Sequence, residues 1–221
     1  MPDPPYFAAY TLDKALKNSG INVEKNIQTL SVPNNVERTV IHTTTSPSLF
    51  EISKHINEES RNLYSEVLVK AIGLKAKGKA SFEAGLAAIE EFWKARGVDM
   101  GGAFLHDGSG LSARNAITTR ILSSIMRKAY IDEQSFCKFY DQLPIAGVSG
   151  TIANMKKRGF ATNNVRAKSG SINRVRSFTG YVTTRSKKVL AFSIIVNNYT
   201  CSGGAMRQRL EDFLVKMAAL N

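Results

Sequence analysis

A chain of 221 residues, 43% of them hydrophobic, is long enough to bury a sizeable core, and none of its apolar runs reaches the length of a membrane span. The formal charge of +12 fits an anionic substrate or polymer or simply a basic proteome, and with no helix-turn-helix, zinc-finger or RNP-like pattern beside it no nucleic-acid ligand is expected. Met1-Pro2-Asp3-Pro4-Pro5 has neither the basic nor the apolar segment of a signal peptide. Cys137 and Cys201 could form one bridge or stay two thiols, and His42, His55 and His106 are scattered, so neither a metal site nor a cofactor is expected.

Residues 6–18 have helical periodicity and stop at Asn18-Ser19-Gly20, a C-terminal signal. Residues 21–45 are mixed, with short strand-like pieces such as Thr39-Val40-Ile41. Ser46 and Pro47 read as an N-cap and a first-turn proline opening a helix over 47–56, with Leu49, Phe50, Ile52 and Ile56 on one face. Leu63, Val67, Leu68, Ala71 and Ile72 mark a second amphipathic helix, and Lys75 to Lys79 reads as a polar loop. Ser81 caps a long helix through Phe92 and Trp93 to Gly97. Another helix, carrying Ile121, Leu122, Ile125 and Met126, starts at Asn115, Thr118 or Thr119. Residues 133–143 and 149–157 read as two shorter helices separated by Pro144 and Gly147. The period then changes from 3.6 to 2. Strands are expected over 165–172, 175–184 and 187–197, with Asn173-Arg174 and Arg185-Ser186 as tight links. A last helix bears Met206, Leu210, Phe213, Leu214 and Met217. Helices, an antiparallel meander and a closing helix make an α+β fold.

Three short segments carry chemistry. Lys168-Ser169-Gly170 puts an ammonium and a hydroxyl on a strand edge, with a glycine that lets a substrate backbone pair alongside. Ser60-Arg61-Asn62 falls where the helix ending near Ile56 gives way to the one starting near Leu63, so a turn there could aim both polar side chains into one cleft. Between them lies His106-Asp107-Gly108-Ser109-Gly110-Leu111-Ser112, a turn-rich stretch in which Asp107 is expected to bond backbone amides. Two of the three have a plain alternative: Ser60 as a helix cap beside an exposed Asn62, and Lys168 as a solvated lysine before a hairpin.

Taken together and in this order, S-x-N, D-G-S-G-L-S and K-S-G resemble the class C low-molecular-mass penicillin-binding proteins, serine-type D-alanyl-D-alanine carboxypeptidases that also act as endopeptidases. The resemblance implies a penicillin-binding/β-lactamase-like transpeptidase domain, a helical cluster beside an antiparallel sheet. By the same resemblance Ser60 relays a proton toward the leaving amine and Asn62 bonds the substrate's penultimate amide. Lys168 binds the terminal carboxylate of a D-Ala-D-Ala stem peptide, Ser169 bonds that carboxylate, Gly170 keeps the strand edge open, and the Ser171 N–H joins the oxyanion hole. The family's S-x-x-K pair, nucleophile and base, does not precede Ser60. Ser135-Phe136-Cys137-Lys138 fits the letters but follows S-x-N. The chain therefore resembles the C-terminal half of the family and is incomplete at its N-terminus, with residues 1–45 as the tail of an inserted second domain and 46–221 as the C-terminal part of the transpeptidase-like domain. Implied partners are peptidoglycan stem peptides, β-lactams in the complete enzyme, and a missing N-terminal half. The full-length protein is expected in the periplasm or otherwise outside the cytoplasmic membrane, and this chain alone is expected to be inactive. The competing reading is a non-catalytic protein that binds peptidoglycan through a basic cleft.

Overall fold

The computed structural model describes residues 3–24, 26–29, 37, 39–40, 42–132, 138–155 and 159–221. The chain divides into two compact units, Met1–Thr45 and Ser46–Asn221. The first contains α1 (Pro4–Asn18), which starts on Asp3, whose carboxylate accepts from Tyr6 N at 2.9 Å. It ends at Ser19, followed by Gly20 in the left-handed region at φ 79°. Thr39 and Val40 are not in a strand, and Ile41 lies outside the described residues.

The second unit begins with α2 (Leu49–Glu59), α3 (Asn62–Lys77), α4 (Phe82–Ala95) and α5 (Thr119–Ile131). Then come β1 (Arg166–Ile172), β2 (Val175–Thr183) and β3 (Val189–Asn197), and α6 (Gly203–Ala218) closes the chain. The strands form one antiparallel sheet in the order β1-β2-β3. Alternation sends Ala167, Phe178, Val182 and Phe192 to one face, where they pack with Leu210 and Leu214 of α6 and with Ile152 in the main core. Tyr181 points to the other face and joins Met126 of α5 and Leu143 in a second cluster. The Tyr181 hydroxyl donates to Met126 O at 2.7 Å, which satisfies the one polar atom of a fully buried ring. The fold is thus the expected α+β arrangement of helices and an antiparallel meander.

Four local expectations are corrected. α2 opens at Ser48, two residues after Ser46, because Glu51 completes a capping box: Glu51 N donates to Ser48 Oγ at 3.3 Å and Ser48 N to Glu51 Oε2 at 2.9 Å. α3 continues through Lys77, where a polar loop was expected. Lys75 and Lys77 complement the negative end of the helix dipole, and Gly78 at φ 70° stops the helix instead. Where residues 138–143 and 149–155 are described, the two short helices are replaced by 3₁₀ turns at Tyr140–Gln142 and Gly150–Ile152; 133–137 and 156–158 lie outside the described residues. Lys138 at φ 66° and Gly150 at φ 59° are left-handed and cannot extend an α-helix. The second hairpin link is also longer than two residues. It spans 184–188 and closes through Thr184 N to Lys188 O at 2.8 Å.

Candidate active site

Ser60 is placed by the need to end one helix and begin another within two residues. It terminates α2 in the left-handed region (φ 57°, ψ 48°), Arg61 is extended, and Asn62 is the first residue of α3. Ser60 and Asn62 are therefore not two positions on one helix. Both are exposed. The end of α2 is fastened to the segment before the sheet. Asn57 Nδ2 donates to Gln142 Oε1 at 3.3 Å. Gly150 lies so close that a Cβ there would stand 2.7 Å from Glu58 O. The same segment is tied to β1, because Ala146 N donates to Val165 O at 2.9 Å and Ala167 N to Pro144 O at 3.0 Å. These fastenings bring two residues 108 positions apart together: Lys168 Nζ donates to Ser60 Oγ at 2.7 Å. Lys168 Nζ also reaches Ser169 O at 3.1 Å. Burial lowers the Lys168 ammonium below its ordinary value, because desolvation disfavours the charged form.

The outer edge of β1 has a definite polarity. Because Ala167 N points away from β2 to Pro144, alternation points the N–H groups of Ser169 and Ser171 the same way. Beyond Ala167 no described backbone group pairs with that edge. Ser171 is exposed there, opposite Arg176 of β2. Ser169 Oγ donates to Thr151 Oγ1 at 2.8 Å, and Thr151 O accepts from Arg207 Nη2 at 3.2 Å. Arg207 is itself paired with buried Glu211, Nε to Oε1 at 2.7 Å, so α6 steadies the turn that holds Ser169. A Cβ at Gly170 would collide with Ser177 Oγ on β2, so this glycine makes room on the face of the sheet. Of the alternative S-x-x-K letters, Ser135 lies outside the described residues, and the Lys138 ammonium stands 5.5 Å from the Phe50 ring centroid.

The stretch 106–112 is a tight loop built on one carboxylate. Asp107 accepts from Gly110 N and Ser112 N, each at 2.6 Å, and from Asn115 Nδ2 at 2.9 Å. Burial pushes the Asp107 carboxyl up, but the bonds from Ser112, Asn115 and Gly110 outweigh it and hold it below its usual value. Glu66 of α3 clamps the loop from beneath, accepting from Gly108 N at 2.8 Å and Ser109 N at 3.1 Å. A Cβ at Gly108 would stand 2.5 Å from Ser65 O, so only glycine allows the loop to sit this close to α3. The loop thus fixes the first turns of the helix that begins at Asn62. Glu66 and Thr151 were not singled out from the sequence.

The D-Ala-D-Ala carboxypeptidase 3 (S13) family profile matches residues 1–219. The chain belongs to this family. It is 32% identical over 205 residues to a D-alanyl-D-alanine carboxypeptidase of an Actinomadura species, covering 90% of this chain and 38% of the relative. It is 27% identical over 199 residues to the D-alanyl-D-alanine carboxypeptidase DacB of Haemophilus influenzae, covering 88% of this chain and 40% of the relative. Its fold matches the crystal structure of penicillin binding protein 4 (dacB) from Haemophilus influenzae complexed with a β-lactam, with a TM-score of 0.81 and 25% identity. That match covers 95% of this chain and 49% of the other. The chain therefore spans less than half the length of these relatives. Among its described residues no helix is long and apolar enough to cross a membrane, and Cys201 is a free thiol.

Proposed function

We propose that this chain is the C-terminal portion of a serine-type D-Ala-D-Ala carboxypeptidase/endopeptidase that cleaves peptidoglycan stem peptides outside the cytoplasmic membrane through an acyl-enzyme. Residues 1–45 are the tail of an inserted second domain, and 46–221 belong to the transpeptidase-like domain. The observation that carries the reading is the 2.7 Å contact between Lys168 Nζ and Ser60 Oγ beside the open edge of β1.

The chemistry follows from position. A substrate backbone laid along that edge meets the outward N–H of Ser171, which stabilises the oxyanion of the attacked carbonyl. Lys168 and the Ser169 hydroxyl take the carboxylate of the departing residue. Ser60, already hydrogen-bonded to Lys168, passes a proton to the leaving amine, and the lowered pKa of Lys168 eases proton movement between them. Asn62 bonds the penultimate amide. The covalent step belongs to a serine with a lysine one helical turn on, which no serine before Ser60 has.

Fluorescence anisotropy with a labelled peptide ending in D-Ala-D-Ala tests the binding half of this reading. Lys168→Met should weaken binding at least about fivefold, since a charged hydrogen bond to a carboxylate is lost. Amidating the peptide's terminus should weaken it by a similar factor, and should add nothing further in Lys168→Met. Equal binding of acid and amide would sink the assignment of Lys168.

A further inference from the structure

We propose that a pocket at the start of β1 binds a second carboxylate on the leaving side of the scissile bond, a selectivity that rests on the functional reading above. The pocket encloses about 460 Å³ and is walled by Tyr140, Phe160, Thr162, Arg166, Arg185 and Lys187, among others. No acidic side chain lines it among the described residues. Two of its cations are mounted on aromatic rings: the Arg166 guanidinium stands 4.6 Å from the Tyr140 centroid and that of Arg185 4.4 Å from the Phe160 centroid. Asp141 Oδ1 approaches Arg166 Nη1 only to 3.9 Å, beyond hydrogen-bond length, so the donors of that guanidinium are left for a ligand. Guanidinium groups seated on aromatic rings, with Asp141 as the one acidic neighbour and that at long range, suit a carboxylate.

The register gives the pocket its place in the reaction. Arg166 and Lys168 are two apart on β1, pair with Tyr181 and Thr179, and share one face of the sheet about 7 Å apart. With the attacked carbonyl at Ser171 and the departing residue's carboxylate at Lys168, the next step along the strand is Arg166. D-alanine has no group to place there. A departing residue with an acidic side chain, or a departing peptide, does. The pocket therefore favours cleavage between stem peptides, or release of an acidic residue, over release of D-alanine.

Anisotropy titrations of this chain with labelled peptides ending in D-Ala-D-Ala and in D-Ala-D-Glu decide the matter. The D-Glu peptide should bind about tenfold more tightly. The advantage should vanish in Arg166→Gln/Arg185→Gln, while D-Ala-D-Ala binding changes less than twofold. Arg185→Gln alone, on an exposed turn, should remove part of the advantage and serves where the double variant does not fold by circular dichroism. Equal affinities for the two peptides, or an advantage that survives both substitutions, overturns the pocket while leaving the Lys168 reading intact. If Lys168→Met alters neither peptide, or if neither binds, the functional reading falls and this one with it.

Discussion

Replacing Asp107 by alanine should unfasten the loop that supports the first turns of α3. The carboxylate accepts three hydrogen bonds, from Gly110 N, Ser112 N and Asn115 Nδ2, at 2.6, 2.6 and 2.9 Å. Hydrogen bonds to a charged acceptor contribute about 1.5–3 kcal/mol each where the stranded donors stay buried. Here the loop is half-exposed, so water takes over part of the loss, and a net cost of about 3 kcal/mol is expected. For a unit of this size that corresponds to a fall in melting temperature of roughly 6–12 °C. Asp107→Asn keeps one acceptor oxygen and should cost about 1–2 kcal/mol. The pH dependence has a fixed sign. The folded carboxyl lies below its ordinary value of 3.8, so its contribution is fully present above that value and is lost as pH falls through the lower, folded one. The gap between wild type and Asp107→Asn should therefore stay constant near neutrality and narrow only in strong acid. Urea unfolding followed by circular dichroism measures both effects. A change smaller than about 0.5 kcal/mol in Asp107→Ala at neutral pH, the range of an ordinary surface substitution, refutes the argument.

Tyr181 should resist alkali. Burial first, and then the neighbouring Tyr130 and Tyr140, push its phenol well above the ordinary value of 10, so folding favours the neutral form and stability should drop as pH climbs past that value. In an ultraviolet titration one unit above it, Tyr181→Phe should leave the phenolate signal of the folded protein unchanged; a smaller signal contradicts the burial argument. The chain alone should not be acylated by penicillin, because the residue one turn after Ser60 is Leu63 and the lysine that touches it, Lys168, is assigned to the substrate carboxylate. Intact-mass spectrometry after incubation with the antibiotic checks this, and a stoichiometric adduct on Ser60 or Ser135 would make the chain a self-sufficient enzyme.

Where the sequence was readable, one signal was strong and local. The switch from period 3.6 to period 2 after Val165 marks three strands that the structure places within about two residues of expectation. Ser81 and Thr118 cap their helices through ordinary side-chain bonds. Two serines flank Pro47, and only the S-x-x-E spacing from Ser48 to Glu51 picks the true cap, a cue present in the sequence but outranked by the proline. Among the described residues the two short helices shrink to 3₁₀ turns; Lys138 and Gly150 are left-handed there, and Gly150 is pressed against Glu58 and Pro144, a tertiary contact that periodicity does not record. The site divides in the same way. Ser60 and Lys168 were found through motif order, since nothing local ties residues 108 apart. Glu66 bonds backbone N–H groups, and Thr151 bonds one hydroxyl, so neither leaves a pattern in residue types.

Ser60 holds its hydroxyl against Lys168 from a left-handed backbone, a conformation that costs a residue with a Cβ on the order of 1 kcal/mol and costs glycine almost nothing. Ser60→Gly should for that reason melt later than the parent while losing the oxygen to which the proposed proton path is assigned. Thermal-shift ranking of a variant library would then promote the very replacement that removes this hydroxyl, and selection for robustness alone would tend to erode the position.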